Sequence, residues 1–352
     1  MRRGVNTDWI RAPLRVPFSH THSLSLSGRA QKIDYRTSLR FSDKYGVMKG
    51  DNRRNYTLNF SIGYHMRDKL TLRYTANYSL TDAKESPYGD FSAYTRLNPY
   101  DTPFDEYGNL VKAFNFDPED TSTSGDGHQV NPLYNATLSS FETTRDQTLR
   151  NTVDAKWYVT KDFFITGQFN VDIKTNQYDR YTSPEDATYL GETDPAKRGE
   201  YRLGPGEAFN YDGKIVLNYG RNLDDRGTGF VVNVGADIQH TNTTTSYTTA
   251  IGFLKDDLSD IKYALGYSPS SLPSGTETLL AKVGFFASGN FYFRNRYFAD
   301  ISYRTSGSSA YGSENRFAPM WSFGLGWNLT QEAFLERAKC NDVLRQTWLG
   351  GH

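Results

Sequence analysis

The chain has 352 residues with 40 basic and 40 acidic side chains, so the basic footprint of a nucleic-acid binder is missing. No apolar run of about 18 residues occurs, which excludes membrane-crossing helices, and a single cysteine, Cys340, excludes an internal disulfide framework. With 25 Tyr, 22 Phe and only 37% hydrophobic residues, the composition points to strands in which alternate residues are apolar.

The opening stretch, Met1–Arg15, has two adjacent arginines but neither an apolar core nor a small-residue cleavage site, so it does not read as a signal peptide. Alternation then predicts strands over Ser19–Ser27, Lys32–Ser42, Arg54–Met66 and Leu70–Asp82. In the fourth, Leu70, Leu72, Tyr74, Ala76, Tyr78 and Leu80 share one face, while Thr71, Arg73, Thr75, Asn77, Ser79 and Thr81 share the other. Further strands are predicted over Gln147–Val159, Phe163–Tyr181, Phe209–Tyr219, Thr228–Thr248, Glu277–Phe293, Tyr297–Thr305, Met320–Asn328 and Val343–Leu349. Ten residues at about 3.3 Å each, tilted near 40°, span about 25 Å, the height of an outer-membrane apolar band.

Connections alternate in length. Short ones fall at Gly28–Gln31, Arg67–Lys69, Thr160–Asp162, Gly220–Gly227 and Arg294–Arg296. Long ones fall at Asp43–Arg53, Ala83–Asp146, Thr182–Ala208, Thr249–Thr276 and Thr305–Pro319. Short turns toward the periplasm and long loops outward are the rule for outer-membrane barrels. Near the short-turn ends, Tyr64, Trp157, Phe163, Tyr219, Phe230, Phe291, Tyr297 and Trp327 all lie on the apolar face, as a girdle at the inner interface would. The opposite faces carry Arg36, Arg40, Asn59, His65, Arg73, Asn77, Arg150, Asp154, Lys156, Gln168, Asn170 and Asp172, so they must look into a wet or plugged interior. After the downward strand ending at Asn328, the run Asn328–Lys339 predicts one short periplasmic helix, capped by Asn328 with Gln331 or by Thr330.

The residues Arg296–Leu335 closely resemble SusC/RagA-like TonB-dependent outer-membrane transporters. The ordered features are a Tyr-Arg strand end, a Gly-Ser-Ser loop, an Asn-Arg-Phe-Ala-Pro entry, a Gly-Trp-Asn strand end and the short helix. Supporting stretches are Asn6–Ile10, Ser23–Gly28, Asp34–Phe41, Tyr45–Asn59, Asn98–Val111 and Asn131–Ala136, in the order of the middle of that family's barrel. The resemblance implies an antiparallel transmembrane β-barrel fragment, about 12 strands of a barrel of about 22, with an N-terminal plug and further C-terminal strands expected outside this chain. It also implies a SusD-like lipoprotein and the TonB complex as partners, with TonB engaged through the N-terminal part. Outer-membrane lipid would surround the wall.

No catalytic constellation or cofactor motif emerges. His20 and His22 share a strand face without further ligands nearby, Phe116–Gly127 departs from the 12-residue calcium loop, and Gly266–Ser270 fails the nucleophile elbow at its last position. The long loop Ala83–Asp146 carries Tyr88, Tyr94, Tyr100, Phe104, Tyr107 and Tyr134 among Asp and Asn residues, a palette suited to stacking on a carbohydrate or peptide. The expected function is TonB-dependent uptake of glycans, oligosaccharides or peptides. A passive porin or adhesin barrel and a soluble β-sandwich binding module are the alternatives, the last because two sheets could bury their apolar faces against each other.

Overall fold

The structure, a computed structural model, describes residues 5–66, 69–114, 129–312, 316–332 and 345–351. In chain order the elements are β1 Ser19–Ala30, β2 Ile33–Tyr45, β3 Asn52–Met66, β4 Leu70–Lys84, α1 Phe91–Thr95, β5 Ala113–Phe114, β6 Gln129–Val130 and α2 Pro132–Asn135. They continue with β7 Phe141–Tyr158, β8 Phe163–Thr182, β9 Glu200–Asp224, β10 Thr228–Ile251, β11 Gly266–Tyr267, β12 Ser274–Phe293, β13 Tyr297–Ser308, β14 Phe317–Asn328 and β15 Arg345–Gly351. One sheet takes twelve of the strands in sequence order, β1-β2-β3-β4-β7-β8-β9-β10-β12-β13-β14-β15, while β11 adds to β10 and the pair β5-β6 stands apart. Every neighbour is antiparallel, and no helix is long and apolar enough to cross a membrane.

All twelve predicted strands are therefore present, and the differences concentrate at the outer ends. β7 begins at Phe141 rather than Gln147, β9 at Glu200 rather than Phe209, β12 at Ser274 and β14 at Phe317. Above the lipid band neither face needs to be apolar, so the alternation stops while the hydrogen-bond ladder continues. Within β9 the sequence Gly204-Pro205-Gly206 reads as a break. Pro205 has no N–H to donate, and the ladder to β10 skips there, resuming with Leu203 opposite Thr248, although Pro205 still faces Gln177 on β8.

The short turns close tightly. The turn expected over Gly220–Gly227 shrinks because β9 runs on to Asp224, whose Oδ1 accepts the amides of Arg226 (3.0 Å) and Thr228 (2.8 Å). Gly227 takes a φ of 79° and packs against the Asn295 side chain of the next turn. There Arg294 and Asn295 are both left-handed, at 51° and 53°, within a three-residue connection, Arg294–Arg296, in which the Arg296 amide donates to the Phe293 carbonyl at 2.9 Å. The Asn295 amide donates to the Gly227 carbonyl at 2.9 Å, so adjacent turns are stitched together.

The predicted turn at Arg67–Lys69 lies partly outside the described residues; the Phe116–Gly127 loop, Cys340 and everything after Glu332 in the predicted helix lie wholly outside them. What is described of that helix is a single 3₁₀ turn, Leu329–Gln331. Asn328 does not cap an amide there as expected; its Oδ1 accepts the Thr330 hydroxyl at 2.7 Å instead.

Register fixes which side chains share a face. Tyr35, Ile62, Tyr74, Val153 and Phe169 lie side by side across β2, β3, β4, β7 and β8, and the row continues through Gly213, Ile238 and Val283. Apolar residues of this face are highly exposed: in the row Val153 is 47% exposed and Phe169 44%, and elsewhere on the face Leu24 is 69% exposed and Ile301 61%. An apolar face left open along an entire sheet is the signature of a wall whose solvent is lipid. At its lower edge the expected girdle forms a ring-to-ring chain, with Phe163 opposite Tyr219, Tyr219 5.7 Å from Phe230, Phe230 opposite Phe291, and Tyr297 stacked 6.2 Å from Trp327.

Candidate functional site

The other face of the wall is the lumen side, and all twelve polar residues expected there share it. Several of its carboxylates meet donors on other strands. Arg150 grips Asp172 through two bonds of 2.6 and 2.7 Å, Gln168 donates to Asp154 at 2.9 Å, and Asn170 donates to Asp212 at 2.8 Å. Asp34 meets both the His65 ring at 2.5 Å and Arg73 at 3.3 Å, and Arg304 reaches Asp237 at 2.8 Å. Lower down, Lys156 sits over the rings of Tyr158 (4.7 Å) and Phe164 (4.6 Å). Arg150 with Asp172, Asp154 with Gln168 and Asn170 with Asp212 are directly opposed in the antiparallel register, about 5 Å apart, whereas Asp34 reaches Arg73 over Gly63 and Arg304 reaches Asp237 over Gly284, where the intervening strand has no side chain in the way. The sequence revealed the charges but not their partners, since pairing requires the register.

Above the outer rim, the long loop builds a small water-facing core. Trp9, Tyr94, Leu97 and Phe114 are buried together, with Met48, Tyr88, Val111 and Leu133 packed around them. The Trp9 indole donates to the Asn98 carbonyl at 3.0 Å, and the Trp9 and Phe114 rings meet edge to face at 5.5 Å. Asn131, fully buried, donates to the carbonyls of Pro103 (3.2 Å) and Val111 (2.7 Å), while its Oδ1 caps α2 through the Leu133 amide at 3.1 Å. Three stretches that carried the family resemblance, around Trp9, Asn98–Val111 and Asn131, thus meet in one place.

This core sorts the six candidate aromatics. Tyr94 is 1% exposed and serves as packing; burial raises its hydroxyl well above the ordinary tyrosine range. Tyr88 is half-buried against the same core, and Tyr134 lies beneath the Lys112 ammonium at 5.1 Å. Tyr100, Phe104 and Tyr107 remain open, at 57%, 48% and 89%. Tyr107 crowns a turn in which Asp105 Oδ1 accepts the amides of Tyr107 and Asn109, both at 2.8 Å; these bonds hold the Asp105 carboxyl below its usual range. Trp9, Leu97 and Asn131 were not singled out from sequence. Their role depends on contacts across the chain that no local pattern encodes.

A second cluster clothes the outward side of the tall strand ends. Tyr181, Tyr201, Ala250 and Phe253 are buried together, and the Tyr181 hydroxyl donates to the carbonyl of Asp256 at 3.1 Å, tying residues 252–265 onto the wall. Between the two clusters opens a cleft of about 690 Å³ lined by Glu85, Asp90, Glu142, Arg180 and Asp186 with Tyr88, Phe91 and Phe141. Burial raises the Glu85 carboxyl, and the neighbouring charges of Asp51 and Glu142 push it the same way. A cleft mixing ring faces with hydrogen-bonding carboxylates can hold a polar, uncharged or cationic ligand. Among the described residues no three His, Cys, Asp or Glu side chains converge on a metal position.

No protein-family model matches the chain. Two curated proteins do. It is 22% identical over 347 residues to TonB-dependent receptor P26 of Formosa agariphila, covering 94% of this chain and 32% of that protein. It is 24% identical over 354 residues to TonB-dependent receptor SusC of Bacteroides thetaiotaomicron, covering 94% and 33%. The chain therefore spans about a third of the length of the curated relatives it matches. Among solved structures, the RagAB peptide importer in its open-open state superposes with a TM-score of 0.75 at 18% identity, over 97% of this chain and 37% of that one. The ferric citrate transporter FecA gives 0.52 at 10% identity, over 90% and 40%. Motif order, sheet order, relatives and fold converge: the chain is similar to a stretch of SusC/RagA-like TonB-dependent outer-membrane transporter barrel.

Proposed function

We propose that this chain forms wall and outer mouth of a transporter that imports glycans, oligosaccharides or peptides across the outer membrane. The carrying observation is the lumen face, where ion pairs and amides such as Arg150 with Asp172 and Gln168 with Asp154 line a wet passage while apolar residues face out. Paired charges leave such a wall polar without a strong field of either sign, suited to large uncharged solutes. At the mouth, Tyr100, Phe104 and Tyr107 offer rings for stacking on sugar or peptide faces, and the cleft beside Glu142 and Arg180 offers hydrogen bonds. Support for the peptide arm is the fold shared with RagAB, and for the receptor class the likeness to P26 and SusC. A SusD-like lipoprotein over the mouth and energy coupling through TonB complete the proposal, as does a plug and further strands supplied by the rest of the protein.

The test is uptake by the intact protein in cells. Labelled oligosaccharide and peptide pools are presented with and without a proton-motive-force uncoupler. Uptake of one pool that collapses on uncoupling, and falls with Tyr107→Ala, supports the reading. Uncoupler-insensitive leakage of both pools would mean a passive porin and overturn it.

A further inference from the structure

The outward face changes character abruptly above the lipid band. On β3 the outward residues run Tyr64, Ile62, Phe60, Leu58, Tyr56 and then Arg54; on β4 they run from Leu70 to Leu80, then Asp82 and Lys84; on β7 Leu149 is followed by Gln147 and Arg145. Register places Arg54, Asp82 and Arg145 side by side on adjacent strands. From Leu70 to Leu80 the band rises about 25 Å, so this row lies where the outer-leaflet headgroups begin.

The row floors a cleft of about 640 Å³ into which four cations, Arg15, Arg54, Lys84 and Arg145, converge against two carboxylates, Asp82 and Asp179. Arg145 is 2.6 Å from Asp82, and Arg54 is 3.6 Å from the buried Asp43 behind it. Arg15 reaches only backbone carbonyls, those of Gly46 (3.0 Å) and Asp51, and lies 5.2 Å over the Tyr45 ring. Lys84 makes no ion pair among the described residues. Arg15 and Lys84 form no salt bridge among the described residues, and with Asp43 counted the four cations face three carboxylates, an excess of one positive charge; three of the four cations are guanidinium forks that match phosphate geometry. A cationic cleft on the lipid side of a membrane wall, open at headgroup height, meets phosphate before any other anion.

We propose that this cleft binds the phosphate of a phosphorylated outer-leaflet glycolipid, with Lys84 and Arg145 as its principal contacts. The inference rests on the membrane reading of the wall but not on any imported substrate, so a protein that transports yet fails this test would sink the lipid site alone. The full-length protein carrying this chain is purified in detergent and offered diphosphorylated lipid A, its dephosphorylated form or inorganic phosphate, with bound lipid counted by native mass spectrometry. The expected result is selective retention of the phosphorylated lipid, weakened by about fivefold in Lys84→Gln and about 25-fold in Lys84→Gln/Arg145→Gln, each lost cation near the surface carrying about 1 kcal/mol. Asp82→Asn should tighten binding, because it releases Arg145 and removes one negative charge from the cleft; a merely structural ion pair predicts no gain. Equal retention of both lipids, or displacement of lipid by millimolar inorganic phosphate, would overturn the proposal. Should the double variant fail to fold, Lys84→Gln decides alone: unchanged lipid retention would also overturn it.

Discussion

The wall and the loop core treat the same residue types in opposite ways. In the wall, Leu24 and Trp327 stand 69% and 43% exposed, whereas in the loop core Leu97 and Trp9 are 8% and 3% exposed. The difference follows from the surroundings: hydrocarbon replaces the core that a wall never builds for itself, while a loop in water must bury its apolar groups or remain unfolded. Stability in the two regions should respond to different changes, and substitutions can separate them.

The largest effect is expected in the loop core. Trp9→Ala removes a buried indole, its bond to Asn98 and its edge contact with Phe114, at a cost of about 3 to 5 kcal/mol. The loss should appear as rapid proteolysis within residues 85–140 while the wall persists as a heat-modifiable species on gels. Loss of the whole barrel together with the loop would show the two regions to be one cooperative unit.

Next comes the wall, where adjacent residues allow an internal control. Phe169→Arg points a charge into lipid and should cost about 2 to 4 kcal/mol near the midplane. Gln168→Arg, one residue away, points the same charge into the lumen beside Asp154 and should be close to neutral. Urea titrations of the intact protein in lipid vesicles measure both. Equal costs would reverse the face assignment and revive the sandwich alternative.

Asn131→Ala should follow at about 1 to 3 kcal/mol, because the carbonyls of Pro103 and Val111 lose their buried donor. Protease resistance of the loop is again the readout. Retention of full resistance would mean that water replaces the amide without penalty.

The same contrast explains what could be read in advance. Wall strands were legible because alternation is a local signal, and lipid on one face enforces it from Leu70 to Leu80 without exception. Their outer extensions were not, because residues such as Glu200–Gly206 lie beyond lipid and include Pro205, a residue that normally argues against a strand interior. The loop core was the least legible. Tyr94 looked like a ligand platform and is packing, since its neighbours Trp9 and Phe114 arrive from separate stretches of chain. Family motifs pointed to those stretches, but not to the fact that they touch.

The smallest effect lies at the periplasmic rim, where wall and loop logic meet in one carboxylate. Glu332 accepts the Tyr297 hydroxyl at 2.8 Å and the Trp327 indole at 3.2 Å, with Arg296 at 3.3 Å. These donors, the Tyr297 hydroxyl first, hold its carboxyl below the usual range. A carboxyl whose folded pKa is depressed adds stability above its unfolded value of 4.5 and loses it as pH falls through the folded value. Glu85, raised by burial, runs the other way, so the net pH profile of the whole protein cannot assign the effect. Glu332→Gln isolates it: the fall in Tm between pH 7 and pH 3 should be smaller in the variant than in the parent. An identical fall in both would show that the girdle rings hold their places by contact with lipid and with each other, and that the carboxylate merely accompanies them.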